Sequence, residues 1–138
     1  MYIKLKVYSN SMIEKDIYDK ICDIFAQKIK TDKLKSVIHR KAECRKTKYH
    51  TTIFPPGVEE DRQSAYTFQC NDKAKMCTIS GDAYILKEKS NKAVKELKSV
   101  SCDISNQREH VTANQVWFIC AGKSYIDSLN IAKVLEKY

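Results

Sequence analysis

Glycine is scarce in this chain and proline scarcer: Gly57, Gly81 and Gly122 are the three glycines, and there are two prolines. A phosphate-cradling loop needs clustered glycines so that backbone N–H groups can approach the anion, so such a loop is excluded. No apolar run approaches the roughly 18 residues that a membrane-spanning helix requires. The start of the chain alternates Ile3, Leu5 and Val7 with Lys4 and Lys6, and so lacks the continuous apolar stretch of a secretory leader. A secreted protein with this beginning is expected to be the mature form. No two cysteines stand at C-x-x-C spacing, which argues against a zinc ribbon or a redox motif. The sequences H-E-x-x-H and G-x-S-x-G are also missing, so neither a metal nor a cofactor is expected.

Charge and cysteine are what the chain does have. Twenty-five Lys and Arg face 17 acidic residues, for a net charge of +8. That balance favours acidic partners such as nucleic acid, an anionic surface or an acidic protein, although a lysine-rich solvated surface has the same composition. The apolar fraction is that of a globular chain, and 138 residues make one domain, 1–138. Cys22, Cys44, Cys70, Cys77, Cys102 and Cys120 are even in number and spread along the chain. They fit two or three disulfides formed in an oxidising compartment; six buried thiols of an intracellular protein are the alternative. Sequence alone does not choose their pairing.

Periodicity predicts an α+β fold. Ile3, Leu5 and Val7 read as a half-buried strand. Ser11 to Glu14 reads as a capping box opening a helix over 12–30, with Ile13, Ile17, Ile21, Ile24, Phe25 and Ile29 on its apolar face. Cys22 lies beside that face, positioned to staple the helix to a sheet. Residues 48–54 read as a strand ended by Pro55-Pro56-Gly57. Residues 65–70 and 76–80 read as a hairpin that Cys70 and Cys77 flank and are placed to bridge. Gly81-Asp82 reads as a second turn before a strand over 83–87. Residues 92–100 carry helical spacing in Ala93, Val94, Leu97 and Val100 but also suit a twisted strand. The apolar run 116–120 suits a central strand, and Ser124 to Asp127 caps a short final helix through Ile126, Leu129, Ile131, Val134 and Leu135. The expected architecture is one N-terminal helix packed on an antiparallel sheet of four to six strands, with a short C-terminal helix.

Two constellations bear on function. Nine basic residues fall between 28 and 48: Lys28, Lys30, Lys33, Lys35, Arg40, Lys41, Arg45, Lys46 and Lys48, with His39 among them. They form either a solvated connection or a phosphate-facing surface. His50, Glu59 or Glu60, Arg62 and His110 are residue types that supply a base, an acid and a cation for phosphodiester transfer, although such sets arise by chance in basic domains.

Taken in order, Tyr49-His50, Ala65-Tyr66-Thr67-Phe68, Gly81-Asp82-Ala83-Tyr84-Ile85-Leu86 and Trp117-Phe118-Ile119-Cys120 resemble the pattern of the small fungal guanyl-preferring ribonucleases. More closely, they resemble the ribonuclease-like secreted effectors of powdery mildew fungi. The likeness is one of pattern and extends loosely over residues 2–120. It implies a microbial-ribonuclease-like fold in which His50 takes the place of the first catalytic histidine. Thr67 stands at the catalytic glutamate, Ala83 and Tyr84 at the phosphate-binding arginine, and residues 99–101 hold no second histidine. Three of four roles are thus missing, which implies a protein without catalysis. The Tyr8-Ser9-Asn10 stretch also lacks the cysteine that these effectors carry near their start. The resemblance implies a secreted virulence effector that enters plant cells, binds a host protein and is open to recognition by an intracellular immune receptor. Two other readings stand beside it. One is an RNA-binding module using residues 28–48 with Tyr2, Tyr8 or Tyr49 as stacking groups. The other is an active nuclease using His50, Glu60 and His110.

Overall fold

The computed structural model describes residues 12–32, 40–58 and 62–138. The expected first strand, Ser11, Lys33, Lys35, His39, Glu59 and Glu60 lie outside the described residues.

Helix α1 (Glu14–Lys30) buries Ile17, Tyr18, Ile21 and Phe25, the stripe expected from a 3.6-residue period. It begins two residues later than the spacing predicts. The Glu14 carboxylate accepts from the Asp72 N–H at 2.9 Å, while the Glu14 N–H donates to Asp72 Oδ1 at 2.7 Å. This turn between strands joins a local contact at the helix start, where the Ile13 N–H donates to Asp16 Oδ2 at 3.1 Å.

Among the described residues six strands follow: β1 (Glu43–Lys46), β2 (Thr51–Phe54), β3 (Ala65–Asn71), β4 (Met76–Leu86), β5 (Asp103–Glu109) and β6 (Ala113–Ser124). Helix α2 (Lys87–Ser99) joins β4 to β5, and α3 (Tyr125–Lys137) follows β6. The strands pair antiparallel in the order β1-β2-β3-β4-β6-β5. The fold is thus α+β, with an N-terminal helix, a six-stranded antiparallel sheet and a short C-terminal helix, as the sequence predicts. Residues 92–100 resolve as helix, with Ala93 and Leu97 buried a helical turn apart, and that helix opens five residues earlier at Lys87.

The expected turn at Gly81-Asp82 does not form: β4 runs straight through it. Gly81 pairs with Phe118 of β6 and Tyr66 of β3, and a Cβ there would lie 2.7 Å from Phe118 Cζ and 2.9 Å from the Ala65 carbonyl oxygen. The glycine serves close packing in a strand rather than a reversal. The strand expected over 48–54 begins only at Thr51, because the Thr47 hydroxyl accepts from the N–H groups of Tyr49 and His50 and folds residues 47–50 into a turn.

The strands alternate cleanly. In β4, Cys77, Ile79, Ala83 and Ile85 are buried, and in β6 Val116, Phe118 and Cys120 join them. Tyr66, Phe68, Phe25, Leu97, Tyr125, Ile131 and Leu135 complete one core between the sheet and the three helices. The Tyr66 hydroxyl is wholly enclosed, and burial pushes its pKa up to about 12. All six cysteines are oxidised: Cys22–Cys44 ties α1 to β1, Cys70–Cys77 crosses the β3–β4 hairpin, and Cys102–Cys120 ties the start of β5 to β6. Three disulfides fit a protein that matures in an extracellular or secretory compartment. Among the described residues, no helix is long and apolar enough to cross a membrane.

Candidate binding surface

Period-two alternation leaves one face of the sheet without a helix among the described residues. On it stand Thr52 and Phe54 of β2, Thr67 of β3, Ser80, Asp82 and Tyr84 of β4, and Gln115, Trp117 and Ile119 of β6. Its side chains are mostly half-buried, with Ile119 exposed, whereas the opposite face is spent on the core.

A polar relay occupies its centre. Gln115, nearly buried, sets Nε2 at 2.9 and 3.0 Å from the two Asp82 carboxylate oxygens. Its Oε1 lies 2.8 Å from His110 Nε2. Because the amide donates to the carboxylate, its oxygen must accept, and the hydrogen sits on His110 Nε2. The His110 ring rests against Tyr84, with centroids 5.5 Å apart. The Tyr84 N–H is held by Ser64 Oγ at 2.8 Å. The relay orients Asp82 from beneath and leaves Trp117 as its cross-strand neighbour.

At the β1 edge the same face is cationic. The Arg40 guanidinium lies 3.9 Å from the centroid of Phe54, and Arg40 and Arg45 both reach Glu43, at 2.8 and 3.1 Å. The remaining described members of the basic stretch are dispersed. Lys28 is turned inward, its ammonium donating to the Glu136 carbonyl at the end of α3, and burial lowers its pKa. Lys46 points to the helix side and pairs with Asp19 of α1 at 2.8 Å, which holds that carboxyl below its usual range. Lys48 lies over the Tyr49 ring, and Lys30 and Lys41 face solvent. The run that is continuous in sequence is thus divided between two faces and an interior contact.

The catalytic candidates are not brought together either. His50 sits in the β1–β2 turn, Nδ1 3.3 Å from Thr47 Oγ1. His110 stands at the β5–β6 connection beside Asp82, whose β3 partner is Ala65. Three strand spacings and at least four residues along β3 separate the two imidazoles. With ~4.8 Å per strand and ~3.4 Å per residue, the gap is on the order of 20 Å, too far for one phosphodiester. Thr67, the residue that the resemblance would set at the glutamate position, hydrogen-bonds Thr52 at 3.4 Å. Arg62 flanks β3 and is partly buried.

On the helix side, a cavity of about 440 Å³ lies between α1 and the β1–β2 turn, walled by Ile13, Tyr18, Asp19, Lys46 and Lys48. Tyr18 bridges it, donating to the Tyr49 carbonyl at 2.9 Å and accepting from the Cys70 N–H at 3.0 Å. Tyr49 itself is 67% exposed at the turn tip. Among the described residues, no group of three or more His, Cys, Asp or Glu side chains is placed to hold a metal ion.

Sequence reading missed Asp82, Gln115 and Trp117 as a group. The available signal was their phase: each falls on the face opposite the apolar core positions of its strand. Comparison of the chain with protein-family models, with curated proteins and with solved structures finds no match.

Proposed function

We propose that this chain is a secreted fungal virulence effector on a ribonuclease-like scaffold, without catalysis of its own, that acts by binding a host plant protein and is open to recognition by an intracellular immune receptor. The observation that carries the reading is the separation of His50 from His110. The His50 ring is engaged by Thr47, Thr67 takes the place the resemblance gives to glutamate, and His110 is spent on Gln115 three strands away. One imidazole cannot serve as acid and base and also offset charge on phosphate. The three disulfides support passage through an oxidising compartment. The test has two arms. Purified protein incubated with single-stranded RNA is expected to leave it intact. Expressed in leaf cells without a leader, wild type and His50→Ala are expected to act alike in suppressing or triggering defence. RNA cleavage that His50→Ala abolishes refutes the reading.

A second reading, an RNA-binding module, is favoured by Arg40, Arg45 and Phe54 on the helix-free face. It requires RNA affinity that falls steeply with salt, since each phosphate contact releases counterions.

A further inference from the structure

The centre of the helix-free face differs from the rest of this basic chain. On β4, β6 and β5 its apolar side chains are each paired across strands with a carboxylate: Trp117 with Asp82, and Ile119 with Asp103. Ile119 is 42% exposed. Arg108, beside Gln115 at one end, is the single cation facing the same way on these three strands. Asp82 is the organised member. Gln115 holds both its oxygens and His110 holds Gln115, so the carboxylate is fixed in orientation before any ligand arrives. A pre-set carboxylate with an indole as its cross-strand neighbour suits an ammonium or guanidinium group and opposes a phosphate. The apolar strip through Ile119 extends the surface beyond the reach of one small cation.

We infer that this strip is the docking surface for a protein segment alternating apolar and basic side chains, with a cationic side chain received between Asp82 and Trp117. The inference rests on the reading of the chain as a noncatalytic binding protein and supplies the chemistry of the partner. A polyanion is directed elsewhere by the same charges: Asp82 and Asp103 repel it, while Arg40 and Arg45 lie at the far β1 edge.

Trp117 is the sole tryptophan, so its fluorescence reports this site alone. The probes are a nine-residue peptide alternating Leu with Arg, its Leu–Glu counterpart, and a single-stranded oligouridylate. The Arg peptide is expected to shift Trp117 emission to the blue, and the Glu peptide is expected to leave it unchanged. Asp82→Asn keeps the shape and one of the two Gln115 contacts while removing the charge, and is expected to weaken the Arg peptide by about tenfold, the worth of a charge-assisted contact. Ile119→Ser, at an exposed position, is expected to weaken it severalfold. The two ligand classes give opposite signs in Asp82→Asn, because losing a carboxylate weakens a cation and strengthens a polyanion. Absence of any shift with the Arg peptide overturns the inference. So does oligouridylate binding at Trp117 that Asp82→Asn tightens. RNA cleavage in the same samples would instead overturn the noncatalytic reading on which the inference stands.

Discussion

Gly81→Ala isolates a contact that the fold depends on. The added Cβ meets Phe118 Cζ at 2.7 Å, Phe118 Cε1 at 2.8 Å and the Ala65 carbonyl oxygen at 2.9 Å. The ring is able to tilt, but the carbonyl belongs to the neighbouring strand and moves only with the ladder. Overpacking of this kind costs about 1–3 kcal/mol. Alanine recovers roughly 0.5–1 kcal/mol of the unfolded-state entropy that glycine wastes in a strand. The net is a destabilisation of about 0.5–2 kcal/mol. For 138 residues the unfolding entropy near the midpoint is ~290 cal/mol/K, so each kcal/mol moves Tm by about 3.4 °C. Gly81→Ala is therefore expected to lower Tm by about 2–7 °C in calorimetry with disulfides intact. Phe118→Leu removes the ring clash but leaves the Ala65 oxygen, so the double variant is expected to recover roughly half of the alanine penalty relative to Phe118→Leu alone. An unchanged or raised Tm in Gly81→Ala, or strict additivity in the cycle, refutes the close-approach account.

Three further outcomes follow from other parts of the molecule. Removing Cys22–Cys44, which spans 22 residues, is expected to cost about 3.4 kcal/mol by loop entropy against about 2.4 kcal/mol for Cys70–Cys77, which spans 7; paired Cys→Ala variants compared by urea unfolding test that order. Asp72→Ala removes the acceptor of both the Glu14 N–H and the Tyr125 hydroxyl, each at 2.7 Å, and is expected to destabilise by about 2–3 kcal/mol and to raise hydrogen exchange at the start of α1; an exchange pattern like wild type would count against this role. Tyr66, raised by burial from 10.0 to about 12, stays neutral in the fold while the unfolded chain ionises, so its contribution is complete below pH 10 and is lost as pH rises towards 12; over that window stability should fall by about 2–3 kcal/mol more in wild type than in Tyr66→Phe, measured by urea midpoints.

Which elements the sequence discloses follows from how their residues carry the signal. Helix α1 is legible because Ile17, Ile21 and Phe25 repeat at helical spacing and need no knowledge of the sheet. The Cys70–Cys77 hairpin is legible because Asn71 to Lys75 carry turn chemistry, with Asn71 Oδ1 accepting from the Lys73 and Ala74 N–H groups. Strand β5 is not, since Ile104 is its one apolar side chain and an edge strand needs little burial. Strand β1 is hidden for the same reason inside the basic stretch; Cys44 faces inward for its disulfide while Arg45 faces out. Gly81-Asp82 misleads because glycine has two uses, reversal and close approach, and only the neighbouring Phe118 and Ala65 decide between them.

The candidate binding surface is harder to read than the fold for a physical reason. A linear cluster of lysines looks like a site because sequence displays neighbours in the chain, yet residues that alternate along a strand are sent to opposite faces. Arg45 and Lys46 are adjacent and end on different sides of the sheet, one on Glu43 and the other on Asp19 of α1. Conversely, Asp82, Gln115 and His110 are bound into one relay across two strands, the first two separated by 33 positions in sequence. Net charge suffers the same averaging: +8 over the chain conceals a strip where Asp82 and Asp103 are the cross-strand partners of Trp117 and Ile119. What a partner meets is the local field of one face, so the sign of the Asp82→Asn effect says more about what this protein binds than its overall basicity does.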